Sequence, residues 1–175
     1  MIIIGVDIGL AKLGICSISV SDKPFKKLDI KQMTTFRLNG KIEKQKRLPT
    51  FLLEYTETIA RIIREADLII IEKPFGLRGY ATVLFELFGI IKFIGIINEI
   101  KFVEISPKTL KKFATGKGNA QKSSMVLKAY KEFKIEGNSE DEIDALWCAL
   151  VGDCLSFKHK YSKNRNNSLI SLKIL

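Results

Sequence analysis

The chain has 175 residues, 46% of them hydrophobic and 27% charged, with a formal net charge of +10 and a pI near 9.5. That length and balance fit one globular domain with a substantial core and argue against a disordered or multidomain chain. The basicity points toward polyanions, nucleic acid ahead of acidic membranes, although a solubility charge or a composition rich in Ile and Lys would give the same number.

The N-terminal run MIIIGVDIG is apolar, but Asp7 interrupts it and no basic segment precedes it, so it reads as a strand and not as a signal peptide. Strands are expected at 2–7 and 13–20, joined by a tight turn at 9–12 as an antiparallel hairpin, with a third strand at 28–38. Over 48–65 the apolar residues Leu48, Phe51, Leu52, Tyr55, Ile59, Ile62 and Ile63 form a helical stripe. DLIIIE at 67–72 has the continuous apolar character of a buried parallel strand, and it ends on an acid. A long apolar helix follows at 80–98. Its stretch 83–97 is shorter than the ~20 residues of a membrane span and contains Glu86 and Lys92.

A short strand is expected at 102–105. Ser106 and Pro107 make an N-cap and first-turn pair for a helix to about Ala114. Another helix runs from about Ala120 to Phe133. The last strong helix begins at Ser139 and carries Ile143, Leu146, Trp147, Leu150, Val151 and Cys154 on one stripe. The order βββαβαβααα predicts an α/β fold, a mixed five-stranded sheet of three antiparallel then two parallel strands with helices on both faces. Residues 1–155 form this domain. Residues 156–175 hold five Lys/Arg and no acid, and read as a basic, weakly ordered tail. Cys16, Cys148 and Cys154 lack zinc-type spacing or an even count, which suggests a reducing, cytoplasmic setting.

Carboxylates fall where an active site could gather them. Asp7 ends the first strand and Glu72 the fourth. If these strands are parallel neighbours, both acids emerge at one carboxyl edge, where open α/β sheets place ligands. Asp141 and Asp144 lie three apart on the last helix and so share a face. A strand-terminal acid taken alone is usually a solvated loop residue. Ser139 and Glu142 form a capping box that accounts for Asp141 as a residue of the helix start, but Asp144 lies beyond the first turn. Four acids together would repel unless divalent cations lay among them. Oxygen ligands without His or Cys point to Mg²⁺, with Mn²⁺ able to substitute; two such ions ~3.5–4 Å apart suit in-line attack on phosphorus. His159, the sole histidine, reads as a solvated bystander.

Four segments, GVDIGLAKLG (5–14), IIIEKPF (69–75), LKKFATGKGNAQK (110–122) and DEIDALW (141–147), resemble in order and spacing those of the RuvC-type Holliday-junction resolvases, within the ribonuclease H-like nucleases. The resemblance spans about residues 2–154. It implies that Asp7, Glu72, Asp141 and Asp144 are catalytic metal ligands, and that Lys111 and Lys122 contact phosphates near the scissile bond. It further implies that Phe75, three residues after Glu72, probes or wedges a four-way junction, and that the protein is a homodimer nicking opposed strands symmetrically. Lys73-Pro74 stiffens the approach to Phe75. A branch-migration motor is left open as a partner.

Residues 107–134 hold eight lysines against one acid, Glu132. Lys108, Lys111 and Lys112 share a helical face, and Lys117 lies in TGKGNAQK, whose glycines let backbone N–H groups approach phosphate. Such a run is commonly just a solvated face. As a DNA surface it would give salt-sensitive affinity without reading sequence. The loop lacks Walker spacing. Helix 80–98 is apolar nearly all round, with Gly89 and Gly95 permitting close approach, as a central helix or a dimer interface would need. Other readings stay open: a ribonuclease H-like nuclease for flaps, Y-junctions or RNA–DNA hybrids, a non-catalytic DNA-binding scaffold, or an actin-like ATPase suggested by GVDIGLAKLG. The last would need a second phosphate loop and far more chain.

Overall fold

The computed structural model describes residues 1–9, 11–23, 28–38, 41–43, 46–75, 80–158 and 161–172, the side chains of 80–82 excepted. His159 and the tip of the first hairpin at Leu10 lie outside the described residues.

Three strands open the chain: β1 (Ile2–Asp7), β2 (Lys12–Ser19) and β3 (Asp29–Arg37). Helix α1 (Arg47–Ile63), strand β4 (Leu68–Glu72), helix α2 (Tyr80–Ile96) and strand β5 (Lys101–Ile105) follow. The chain then continues in helices α3 (Pro107–Thr115), α4 (Lys122–Phe133), α5 (Glu140–Ser156) and α6 (Lys163–Ser168). The sheet order is β3-β2-β1-β4-β5. β2 runs antiparallel to both β1 and β3, while β1, β4 and β5 are parallel. This is the mixed sheet expected from the sequence.

Strand alternation divides the apolar residues between two faces. Ile3, Cys16, Ile18, Leu68, Ile70 and Val103 pack on α5, and Ile4, Val6, Leu13, Ile15, Ile69 and Ile71 pack toward α1 and α2. Each fully buried Ile or Leu contributes about 1.5–3 kcal/mol, so both faces must stay covered. α5 is buried from Ile143 to Cys154 and lies directly on the sheet. Glycine makes this possible. A methyl on Gly5 would lie 1.9 Å from the Ala145 carbonyl oxygen, and one on Gly14 would lie 2.2 Å from that of Asp141.

One expectation is corrected. The segment read as a weakly ordered tail carries α6, and its follower Leu169 is 3% exposed in the core. Residues 161–172 contain the apolar anchors Tyr161, Leu169 and Leu172, which the surrounding lysines and asparagines mask in a composition-based reading. Of the two uses open to the glycines of helix 80–98, Gly95 serves close approach within the subunit. A methyl there would meet the Phe102 ring at 2.1 Å, so this glycine seats α2 on its own sheet, whereas Gly89 is open. Phe85, Phe93 and Ile96 are exposed on the outer face of α2, as is Ile97 just after it. Among the described residues no helix is long and apolar enough to cross a membrane. Helix α4 begins at Lys122, two residues beyond the expected start, because Gly118–Gln121 form a loop with Gln121 extended as N-cap.

Candidate active site

Parallel pairing of β1 and β4 sets Val6 beside Ile71, so Asp7 and Glu72 leave the same edge of the sheet on adjacent strands. α5 brings the third acid. Its start is fixed by the Ser139 side chain accepting from the Glu142 N–H while Glu142 accepts from the Ser139 N–H at 3.0 Å. Thr35 on β3 ties this box to the sheet, with its hydroxyl 2.8 Å from Ser139 Oγ and donating to Glu142 at 3.2 Å. Glu142 is thereby used structurally. Asp144 then lies at the sheet edge, 4% exposed.

Asp7, Glu72 and Asp144 line one small recess of about 190 Å³ together with Lys111, Lys122 and the apolar Leu110 and Met125. Asp141 stands at its rim, with Lys122 Nζ 3.9 Å from Asp141 Oδ1 and 2.8 Å from Asp144 Oδ2. Trp147, fully buried on α5, donates to the Met125 carbonyl at 3.2 Å and so joins the acid-bearing helix to the lysine-bearing α4.

The electrostatics follow from crowding like charges in a desolvated recess. Burial raises the Asp7 carboxyl well above its ordinary value, and the charges of Glu72 and Asp144 raise it further. Glu72 is pushed up to about 7, first by burial and then by Asp144, against the opposing pull of Lys122 and Lys111. Burial also raises Asp144, although its hydrogen bond with Lys122 works the other way. For Lys122 burial alone would favour the neutral amine. The hydrogen bond to Asp144 and the charges of Asp144, Asp7 and Asp141 outweigh that, holding the ammonium above its ordinary range.

This donor set is all oxygen, at the end of two strands, and when ionised it crowds negative charge that a bound cation would relieve. Such chemistry fits a hard divalent ion and not zinc. Among the described residues no three ligating groups are already gathered at a cation-binding spacing, and the Lys122 ammonium supplies the counter-charge at Asp144. The residues therefore fit a divalent ion that would share or take over the role of Lys122.

The remaining expected site residues surround the recess without entering it. Lys108, Lys112 and Lys117 are exposed on α3 and the loop after it. Phe75 is 89% exposed just past β4. The approach to Phe75 is held by the Lys73 N–H donating to the Ile105 carbonyl at 2.8 Å and by the Lys73 ammonium 3.3 Å from Glu104. The sequence reading missed the supports. Thr35 and the Gly5 and Gly14 contacts were not anticipated, although two glycines facing one side of a hairpin are a recognisable signal of close backbone approach.

No protein-family model matches the chain. Individual relatives do. The crossover junction endodeoxyribonuclease RuvC of Brachyspira hyodysenteriae is 30% identical over 128 residues, covering 72% of this chain and 77% of that one. The RuvC of Carboxydothermus hydrogenoformans is 28% identical over 156 residues, covering 87% and 95%. The structure of Thermus thermophilus RuvC in complex with a Holliday junction substrate superposes with a TM-score of 0.71 at 18% identity, covering 100% of this chain and 99% of that one, and agrees in fold. With the sheet order, the carboxylates at one strand edge and a relative at this level of identity and coverage, the chain belongs to the RuvC family of crossover junction endodeoxyribonucleases.

Proposed function

We propose that this chain is a divalent-cation-dependent endonuclease that resolves four-way DNA junctions by paired, symmetric nicks. The observation that carries the reading is the meeting of Asp7, Glu72 and Asp144 with Lys111 and Lys122 around one recess at the carboxyl edge of β1 and β4.

Asp7, Glu72, Asp141 and Asp144 would hold Mg²⁺, or Mn²⁺ in its place, as a pair of ions. When bound, such a pair activates a water and stabilises the leaving oxygen of an in-line phosphodiester hydrolysis. The side chains set the conditions for that chemistry. The acids, seated on two strands and a packed helix, keep their positions without reorganisation. Lys111 and Lys122 attract a backbone phosphate to the mouth of the recess, and Leu110 and Met125 limit water on its inner wall. Lys108, Lys112 and Lys117 extend the basic surface along the DNA, adding affinity without reading bases. Phe75, exposed beyond a fixed Lys73, is suited to insert at the branch point.

Symmetric nicking needs two such sites related by a two-fold axis. The outer stripe of α2, with Phe85, Phe93, Ile96 and Ile97 exposed and Gly89 open between them, supports a homodimer through that helix. Sedimentation at micromolar concentration tests this, and a monomer under those conditions excludes it.

The activity test compares a synthetic four-way junction with a flap, a Y-junction and an RNA–DNA hybrid duplex in Mg²⁺, with D7N as control. Junction cutting that D7N abolishes while retaining junction binding is expected, because the phosphate contacts survive loss of one ion ligand. Preference for the hybrid replaces this reading with a ribonuclease activity.

A further inference from the structure

We propose that Arg165 of α6 is a positioning residue that clamps α3 and α4 so that their lysines meet DNA as a fixed array; the inference rests on the proposed DNA-binding role of those lysines. The Arg165 guanidinium joins three elements. Its Nε donates to the Phe113 carbonyl in the last turn of α3 at 3.1 Å. Its Nη2 donates to both Glu132 carboxylate oxygens, at 2.8 and 3.1 Å, in the last turn of α4. The guanidinium carbon also lies 5.2 Å from the ring centroids of Phe113 and of Trp147, the latter on α5.

These contacts suit Arg and no other cation. A planar fork can donate in several directions while its face packs on aromatic rings, and a lysine ammonium cannot do both. The α3 end has a further need. Its last carbonyls lack partners within the helix, and a cation there both bonds to one and opposes the helix dipole. Lys128 also reaches Glu132, at 2.9 Å, so Glu132 is a shared node between α4 and α6.

Arg165 itself is held by the acid-bearing helix. The chain leaves α5, Tyr161 donates to Asp153 of α5 at 2.7 Å, and Leu169 is buried at 3% exposure just after α6. The Ser162 side chain caps α6 by accepting from the Arg165 N–H. Rigid connection therefore runs from α5, which carries Asp141 and Asp144, through α6 to the helices that carry Lys112 and Lys122. Loss of the clamp leaves the acids on their strands and helix but lets α3 and the 116–121 loop shift relative to them.

The experiment measures junction affinity against salt concentration for the full chain without cleavage-supporting metal, single-turnover cleavage at saturating protein in Mg²⁺, and thermal stability. R165A is expected to weaken binding about tenfold and to make the log-affinity against log-salt slope shallower by roughly one, as fewer phosphates are engaged at once. Its saturating cleavage rate stays within about threefold of the parent. I59A removes core packing from the α1 side of the sheet, the face opposite α5 and α6, and is expected to lower the melting temperature while leaving the salt slope unchanged. R165K, which keeps charge but not the fork, is expected to flatten the slope in the same direction and serves if R165A does not fold. An unchanged slope in the folded Arg165 variants, or equal flattening in I59A, overturns the clamp. A K112A/K117A protein separates the two layers of argument. If it flattens the slope and the Arg165 variants do not, only the clamp fails; if it too binds as the parent does, the lysine surface is not the DNA site and both ideas fall.

Discussion

Gly14 stands opposite Asp7 in the β1–β2 ladder, and it lies so close beneath α5 that a methyl group there would be 2.2 Å from the carbonyl oxygen of Asp141. The residue facing one acid across the sheet thus sets the height of the helix carrying two others. The obstacle is backbone, which cannot rotate aside. G14A should therefore cost at least about 2 kcal/mol of stability, as overpacking against a rigid neighbour does. It should also suppress cleavage more than D141N does, because lifting α5 moves Asp141 and Asp144 together. Denaturant titration and single-turnover cleavage below the melting temperature check this, and wild-type behaviour in both would show that α5 has slack at this contact.

The pH dependence of stability tests the crowded acids. Glu72 is raised from an ordinary 4.5 to about 7 in the folded chain by burial and by Asp144. Between those values the native state holds more protons than the unfolded chain. The contribution of Glu72 is thus fully favourable below about pH 4.5 and is lost as pH rises through about 7. In chelator, stability should fall across this window by on the order of 1–3 kcal/mol from this residue, and E72Q should flatten the fall. Mg²⁺ added at pH 8 should restore stability to the parent more than to E72Q, since an ion that binds only the folded state shifts the balance by mass action. Parallel curves for parent and E72Q in chelator would show that Glu72 is not under the strain described.

The strands and the five main helices were readable because each depends on local pattern, and so was the placing of Asp7 and Glu72 at strand ends. β4 is an unbroken apolar run ending in Glu72, and α5 announces itself with Ser139 and Glu142. The parallel adjacency of β1 and β4 could be inferred, since a crossover helix separates them. What could not be read is pairwise distance across the chain. Thr35 reaches Ser139 over more than a hundred residues, and nothing around Thr35 marks it. The Arg165 clamp was hidden for the same reason, because a single arginine among asparagines resembles a solvated tail until Phe113, Trp147 and Glu132 surround it. The pairing of Lys122 with Asp144 was equally hidden, because it depends on how α4 docks on α5 through Trp147 and Met125.

Phe75 gives a clean separation of chemistry from folding. At 89% exposure it contributes little to the core, so F75A should leave stability within about 0.5 kcal/mol of the parent. Under the proposed wedging role, cleavage of a four-way junction should fall more than junction binding does, since phosphate contacts elsewhere would supply most of the affinity. Linear-duplex binding should be unaffected. Equal cleavage by F75A and parent would reduce Phe75 to an exposed loop residue with no part in the reaction.

Lys122 stands in two networks whose responses to its removal have opposite signs. Its ammonium is 2.8 Å from Asp144 and 3.9 Å from Asp141, and the surrounding acids hold it protonated. In the absence of DNA it competes with any cation for those oxygens, so K122A should bind Mn²⁺ more tightly, by about three- to tenfold, a change of roughly 0.7–1.4 kcal/mol. Calorimetry on the DNA-free protein measures this. In the proposed junction complex the same variant would lose a phosphate contact, so affinity should fall and the salt slope should become shallower by about one. A general weakening of the fold would reduce both affinities, and a lysine that serves only DNA would leave Mn²⁺ binding unchanged. Only a side chain shared between the acids and the phosphate moves the two in opposite directions.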